Sequence, residues 1–344
     1  MSHIKKILLA ILFVFIVFLA VNYKLVLYGI SQGMGQMEIV RNARPIDEVL
    51  NDPNFPDSLK VNLRLVDDIK RFAFDSLSIN FSENYSAVYN QKGKELMFVV
   101  TACDPFGLDA KEWKFPLIGT FSYKGFFDEN KALSLETELK SEGLDTSVRT
   151  AGGWSTLGWF QDPILSNMLN DDEAGFAELL IHELTHGTLF VKDSVRFNEN
   201  LATFIGIKGT ERYLLAKYGK ENEFLQYYQQ TWKDRNLVGE HILRGALFLD
   251  SIYKSMDNNL PLISKQNIKK NTISKIINSI DTLDIADKKK FLDFYQTLKP
   301  NNTFFMSYLR YRGDLIVLEQ ELINNYQGDI NKMLVDYKLK YPSL

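Results

Sequence analysis

His182, Glu183 and His186 stand in the run His182-Glu183-Leu184-Thr185-His186. On an α-helix, residues four apart lie on one face, one turn apart, so the two imidazoles can aim at a single metal ion. Glu183 adjoins His182 and reaches the side of that metal where a water would sit. Zn²⁺ takes two histidines and a third ligand and leaves one position open. It acidifies a water and polarises a scissile carbonyl, and a nearby carboxylate serves as general base. With four histidines in 344 residues, the pattern arises by chance roughly three times in a thousand. Ala177, Leu180, Ile181 and Leu184 give this helix an apolar side, and the two residues between Glu183 and His186 are uncharged, as a buried ligand helix requires.

The third ligand should come from the next helix. Asp193, Glu199, Glu211 and His241 are the candidates. Asp193 is too close to the end of the histidine helix to fold back. Twelve residues separate Glu199 from His186, enough for another turn and a reversal. Leu201, Phe204 and Ile205 form an apolar side around it, and Ala202 and Gly206 permit close approach to a neighbour. A carboxylate beside such a surface needs a cation, which makes Glu199 the preferred ligand. His241 lies among Ile242, Leu243, Leu247 and Phe248, which suits a core histidine. His3 precedes an apolar segment and has no evident role.

These residues need elements to hold them. The pattern is α+β, with a small antiparallel or mixed sheet in residues 31–170 and a mostly helical part over 171–344. Gly33 and Gly35 read as a small-residue neck. Asp57 opens a helix whose apolar positions Leu59, Leu63, Val66, Ile69 and Phe72 recur at helical steps. Tyr85–Tyr89, Glu95–Cys103 and Pro116–Tyr123 read as strands. Asp128 to Ser141 reads as a helix with Gly143 as its C-terminal cap, and Leu144 to Thr150 as a strand. From Asp172 onward nearly everything is helical, with connectors near Gly219, Asn258–Pro261 and Lys299–Asn302. Residues 31–344 read as one catalytic domain.

Composition narrows the chemistry. Forty basic and 43 acidic residues leave a net charge of −3, so nothing suggests nucleic acid as a partner. The single cysteine, Cys103, excludes an internal disulfide and cysteine-rich metal modules. At the N-terminus, Lys5 and Lys6 precede an apolar run from Ile7 to Val21, and Leu25–Tyr28 extends it past Asn22 and Lys24. Residues 1–30 therefore read as a signal anchor or signal peptide, the uncleaved anchor preferred. With the basic end inside, the rest of the chain is expected on the periplasmic side of a bacterial inner membrane.

With these residues in view, the chain resembles the bacterial putative aminopeptidase family, whose members carry an H-E-x-x-H helix followed by an N-E-x-x-A helix, here Asn198-Glu199-Asn200-Leu201-Ala202. Further similarity lies in Tyr28–Gln36, in the Tyr123–Phe127 turn, in Ser155–Pro163 and at Asn301-Asn302. The resemblance implies a zincin-type fold and one zinc ion held by His182, His186 and Glu199, with Glu183 as general base. It also places a tyrosine at Tyr311, which would donate to the oxyanion. Two departures stand out. The lipid-attachment cysteine that many members carry before the neck is missing. Thr203 occupies the position where thermolysin-like peptidases carry an acid one turn after the ligand glutamate, which leaves the partner of a ligand histidine open.

The expected function is zinc-dependent peptide hydrolysis, with aminopeptidase action on short peptides preferred. The alternatives are a membrane-anchored endopeptidase and a non-catalytic zinc-binding envelope protein. Three convergent ligands rather than four favour catalysis. An aminopeptidase must hold a free α-ammonium, for which Asp162, Asp172, Glu173 and Glu178 are at hand. The small-residue segment from Thr150 to Gly158 is a candidate wall of the peptide cleft. Oligomeric state is left open.

Overall fold

The structure is a computed structural model that describes residues 3–115, 119–151, 161–286 and 288–343. The chain opens with helices α1 (His3–Val21) and α2 (Tyr23–Asn42). A short strand β1 (Arg44–Pro45) leads into α3 (Ile46–Leu50), α4 (Asp57–Leu63) and α5 (Val66–Ser76). Then come β2 (Ala87–Tyr89), β3 (Phe98–Cys103), β4 (Trp113–Phe115), β5 (Gly119–Phe121) and β6 (Lys124–Phe126). Helix α6 (Glu129–Ser141), β7 (Asp145–Thr150) and β8 (Ile164–Leu165) complete this part. The rest is helical: α7 (Glu173–His186), α8 (Val195–Tyr218), α9 (Glu223–Ser255), α10 (Leu262–Asn278), α11 (Lys288–Leu298), α12 (Asn302–Arg312), α13 (Leu315–Tyr326) and α14 (Ile330–Lys340). The α+β class and the helical C-terminal part follow the sequence pattern.

The sheets are small. Strand β2 pairs antiparallel with β1 and parallel with β8. Strand β3 lies between β6 and β7, antiparallel to both, with Val100 opposite Lys124 and Val148. Strands β4 and β5 form a separate antiparallel pair. Asp128 caps α6 by accepting from the amides of Asn130 and Lys131, which satisfies donors the helix itself leaves free. Gly143 then turns the chain into β7 at φ 85°, a conformation that suits glycine.

Burial explains which helices carry the site. The main core joins Ile69 and Leu77 to Phe176, Leu180 and Ile181 of α7, Leu201, Phe204 and Ile205 of α8, and Leu334 and Tyr337 of α14. Burying side chains of this size contributes about 1.5–3 kcal/mol each. A second cluster gathers Val238, Ile242 and Leu249 of α9, Ile276 and Ile277 of α10, and Phe305 of α12. Helix α12 bridges this cluster and the sheet, since Asn301 Nδ2 donates to Thr146 O at 2.9 Å in β7.

Several elements differ from the sequence expectation. Gly33 and Gly35 lie inside α2, not in a neck. A Cβ on Gly35 would collide with the Phe127 ring, so the glycine serves close packing rather than a bend. The helix expected from Asp57 is broken between Leu63 and Val66, with Pro56 rather than Asp57 at its cap. The expected turn at Tyr123–Phe127 is strand β6, with Phe126 opposite Phe98. Of the expected cleft segment, Thr150 ends β7 and Ala151 donates its amide to Met97 O at 3.0 Å. Residues 152–158 lie outside the described residues.

Helix α1 exposes Ile7, Leu8, Ile11, Leu12, Phe13 and Ile16. Tyr28, the outer end of the expected anchor, belongs to α2 and docks on the sheet, donating to Gly125 O at 2.9 Å. Among the described residues no helix is long and apolar enough to cross a membrane.

Candidate metal centre

Helix α7 starts at Asp172, whose carboxylate accepts from the Gly175 amide at 2.8 Å, and ends at His186. Both histidines therefore sit in its last two turns, on the side that meets α8. The helices can approach because Gly206 faces α7. A Cβ there would lie 2.8 Å from Glu178 O and 3.4 Å from His182 Cβ. The chain reverses through residues 187–194, where Asp193 takes a φ of 56°. Asn198 fixes the reversal with two hydrogen bonds of 2.8 Å, accepting from Val191 N and donating to Val191 O. Asn200 ties the far side of the same turn to α12, donating to Arg310 O at 2.6 Å and accepting from Asp314 N at 2.9 Å. Glu199 is held between these two anchored residues.

The result is a convergent donor set. His182 Nε2 and His186 Nε2 stand 3.1 Å apart. Each lies 3.6 Å from Glu199 Oε2. The three side chains lie close enough to hold a metal ion, their ligand atoms all within 4.8 Å of one another. With the ring protons on Nδ1, two lone pairs and a carboxylate oxygen point into one space, which a cation would occupy. Nδ1 of His186 is buried and has no partner. The acid of a thermolysin-like site is thus not replaced at this histidine by another described side chain.

Glu183 lies beside this set and is 9 % exposed. Burial pushes its carboxyl up to about 7, opposed by His182 and reinforced by Glu199 and Asp162. Burial would also raise Glu199, but the two imidazoles against it hold it well below the usual carboxylate range. The two glutamates thus have opposite tendencies: one is poised to carry a proton, the other to stay ionised.

The other third-ligand candidates are engaged elsewhere. Asp193 accepts from Thr120 N at 2.8 Å. Glu211 accepts from Gln229 at 2.7 Å. His241 meets Ile276 O at 2.9 Å and Ser279 Oγ at 3.1 Å.

A sequence model of the family described as putative aminopeptidase matches residues 27–338. The chain belongs to this family. Membership supports peptidase activity. Comparison with curated proteins and with solved structures finds no match.

In this aminopeptidase-family chain, a second wall faces the donor set. Tyr311 of α12 accepts a hydrogen bond from Arg149 Nη2 of β7 at 2.9 Å. Burial raises the Tyr311 hydroxyl, as does the Glu199 charge, while Arg149 and Arg310 lower it. Tyr308, its companion in sequence, instead shares a hydrogen bond with Tyr295 at 2.6 Å in the second core. The acids considered for an α-ammonium are mostly committed. Asp172 caps α7, Glu173 holds Lys217 and Tyr218, and Glu178 holds Arg235 and Tyr228. Asp162 is buried near Glu183.

Asn200, Arg149 and Arg310 escape sequence reasoning. Their partners lie between 110 and 188 positions away in the chain. The one signal available was the pair of asparagines flanking Glu199, since Asn in a helix interior has low propensity and needs a reason to be there.

Proposed function

We propose that the protein is a zinc-dependent peptidase of zincin type, acting as an aminopeptidase on short peptides outside the cytoplasm. The observation that carries this reading is the convergence of His182 Nε2, His186 Nε2 and Glu199 Oε2 beside a buried Glu183, in a chain of the aminopeptidase family. Ligand bonds of about 2.1 Å at tetrahedral angles separate donor atoms by about 3.4 Å, close to the 3.1 and 3.6 Å found. Two imidazoles and one carboxylate are the donor set of a catalytic zinc, which, when bound, polarises a carbonyl and makes water a better nucleophile.

The chain's own residues do the rest. Glu183 takes the proton of the attacking water and passes it to the leaving amine, so the peptide C–N bond breaks with no net change at the carboxylate. Its tendency to hold a proton suits both halves of that transfer. Tyr311 donates to the carbonyl oxygen as charge develops there. The Arg149 guanidinium on its oxygen strengthens it as a donor. Asn198 and Asn200 keep Glu199 in register with the histidines. The exposed apolar side chains of α1 support attachment of residues 1–30 to a membrane.

Metal analysis of the purified protein together with hydrolysis of paired free and N-acetylated alanine peptides tests this reading. Stoichiometric zinc and cleavage of the free peptides alone are expected. Equal cleavage of both forms replaces the aminopeptidase reading with an endopeptidase one. Zinc without any hydrolysis makes the site structural.

A further inference from the structure

The wall opposite the donor set carries two arginines that no described carboxylate neutralises. Arg310 of α12 is 5 % exposed. Its Nη2 donates to Ser122 O at 3.0 Å, while its Nη1 is buried and has no partner. Its guanidinium lies over the Tyr123 ring, 5.6 Å from the centroid. Arg149 of β7 uses Nη2 on Tyr311 and lies 5.6 Å from that ring. Two other cations of the helical part behave differently: Arg235 pairs with Glu178 at 2.7 Å and Lys217 with Glu173 at 2.8 Å. Among the described residues, neither Arg149 nor Arg310 stands in such a pair. A buried guanidinium without an anion is costly. Burial and Arg149 both weigh against the Arg310 charge, and Tyr311, Tyr123 and Glu199 favour it only through space. Glu199 faces the two histidines, so a donor position stays open.

The location of this open position gives it meaning. Asn200 holds the Arg310 carbonyl, so the base of that side chain sits one residue along from the ligand Glu199. The charges of Arg149 and Arg310 both reach Glu199. A planar guanidinium offers a fork that matches a carboxylate in two hydrogen bonds. The acids that might have recognised an ammonium from α7 are meanwhile consumed by Lys217, Arg235 and the helix cap.

We propose that Arg310 and Arg149 form a carboxylate subsite beside the metal ligands, which takes the free C-terminal carboxylate of a di- or tripeptide. This rests on the peptidase reading and deepens it. The enzyme would act on very short peptides, with the scissile bond within one or two residues of the carboxylate. Tyr123 supports the Arg310 fork, and Tyr311 keeps its role at the scissile carbonyl. Longer peptides would place an amide where the arginines need an anion.

The test is calorimetric binding of trialanine and of trialanine amide to the full-length protein, with and without zinc, alongside hydrolysis of both. In the wild type the free acid should bind at least about tenfold more tightly than the amide, as a charge-assisted hydrogen bond implies. If both are cleaved, the difference should fall on KM rather than kcat. Arg149→Gln and Arg310→Lys should each shrink the preference to below about threefold, with zinc content unchanged and, for Arg149→Gln, an unchanged melting temperature. Arg149 is exposed, so its variant remains informative if the Arg310 variant does not fold. Equal affinity for acid and amide, no binding of either, or a preference untouched in the Arg149 variant overturns the subsite. A carboxylate preference in a protein that cleaves neither peptide upholds the subsite and defeats the peptidase reading. Cleavage of both peptides with equal KM does the reverse.

Discussion

Three histidines lie in the helical part, in two unlike settings. His241 on α9 is satisfied by its own fold: its Nε2 meets a helix carbonyl and a serine hydroxyl of the α10 end. His182 and His186 on α7 turn their Nε2 atoms towards each other and towards Glu199. Both settings are largely buried and both are bounded by apolar side chains. What separates them is where the lone pairs go. A histidine whose Nε2 is absorbed by a backbone carbonyl and a hydroxyl group fixes two helices together. A pair whose nitrogens converge with a carboxylate leaves a cation-shaped demand that the protein alone does not meet.

That contrast can be broken by mutation, and the largest effect belongs to the pair. His186→Ala should abolish stoichiometric metal binding, read by metal analysis after dialysis, and with it all hydrolysis. His241→Ala should leave metal content unchanged. A loss of metal from the His241 variant would erase the distinction.

Helix approach comes next. Gly206→Ala places a methyl 2.8 Å from Glu178 O, so α7 and α8 must part. A cost of about 1–3 kcal/mol is expected in chemical denaturation, together with weaker metal binding, because Glu199 moves with α8. An unchanged metal affinity would mean that the helix spacing does not set the site.

Asn200→Ala removes the link between the Glu199 turn and α12. It should destabilise by about 1–3 kcal/mol, since buried partners are left unpaired. Metal affinity that falls in this variant while it is still fully folded, read by metal titration, would mark Asn200 as a positioning residue. The smallest effect is on His241→Ala itself, about 0.5–1.5 kcal/mol, because Ile276 O keeps a second donor in Ser279.

The sequence made one wall of the site legible and hid the other. His182, Glu183 and His186 fall on one helix, so spacing alone sets their geometry. Glu199 was within reach of the same reasoning, because its helix has an apolar side and small residues where it meets α7. Gly206 performs that close approach. The wall formed by Arg149, Arg310 and Tyr311 joins a strand to a helix more than 150 positions later, and no local period encodes that pairing. Gly35 failed for a related reason. Glycine reads as a break from local propensity, whereas here it serves a tertiary contact with Phe127. The family resemblance names residues 123–127 as a turn, yet pairing with β3 makes Lys124–Phe126 a strand.

Replacing Glu183 by glutamine keeps the shape of the side chain and removes its ability to accept a proton. The decisive measurement is the hydrolysis rate of a free alanine peptide by wild type and Glu183→Gln, matched for bound metal. A fall of about 10²–10⁴-fold in kcat at equal metal content is expected of a lost general base. Full activity in the glutamine variant would contradict the role assigned to Glu183 and to the centre built around it.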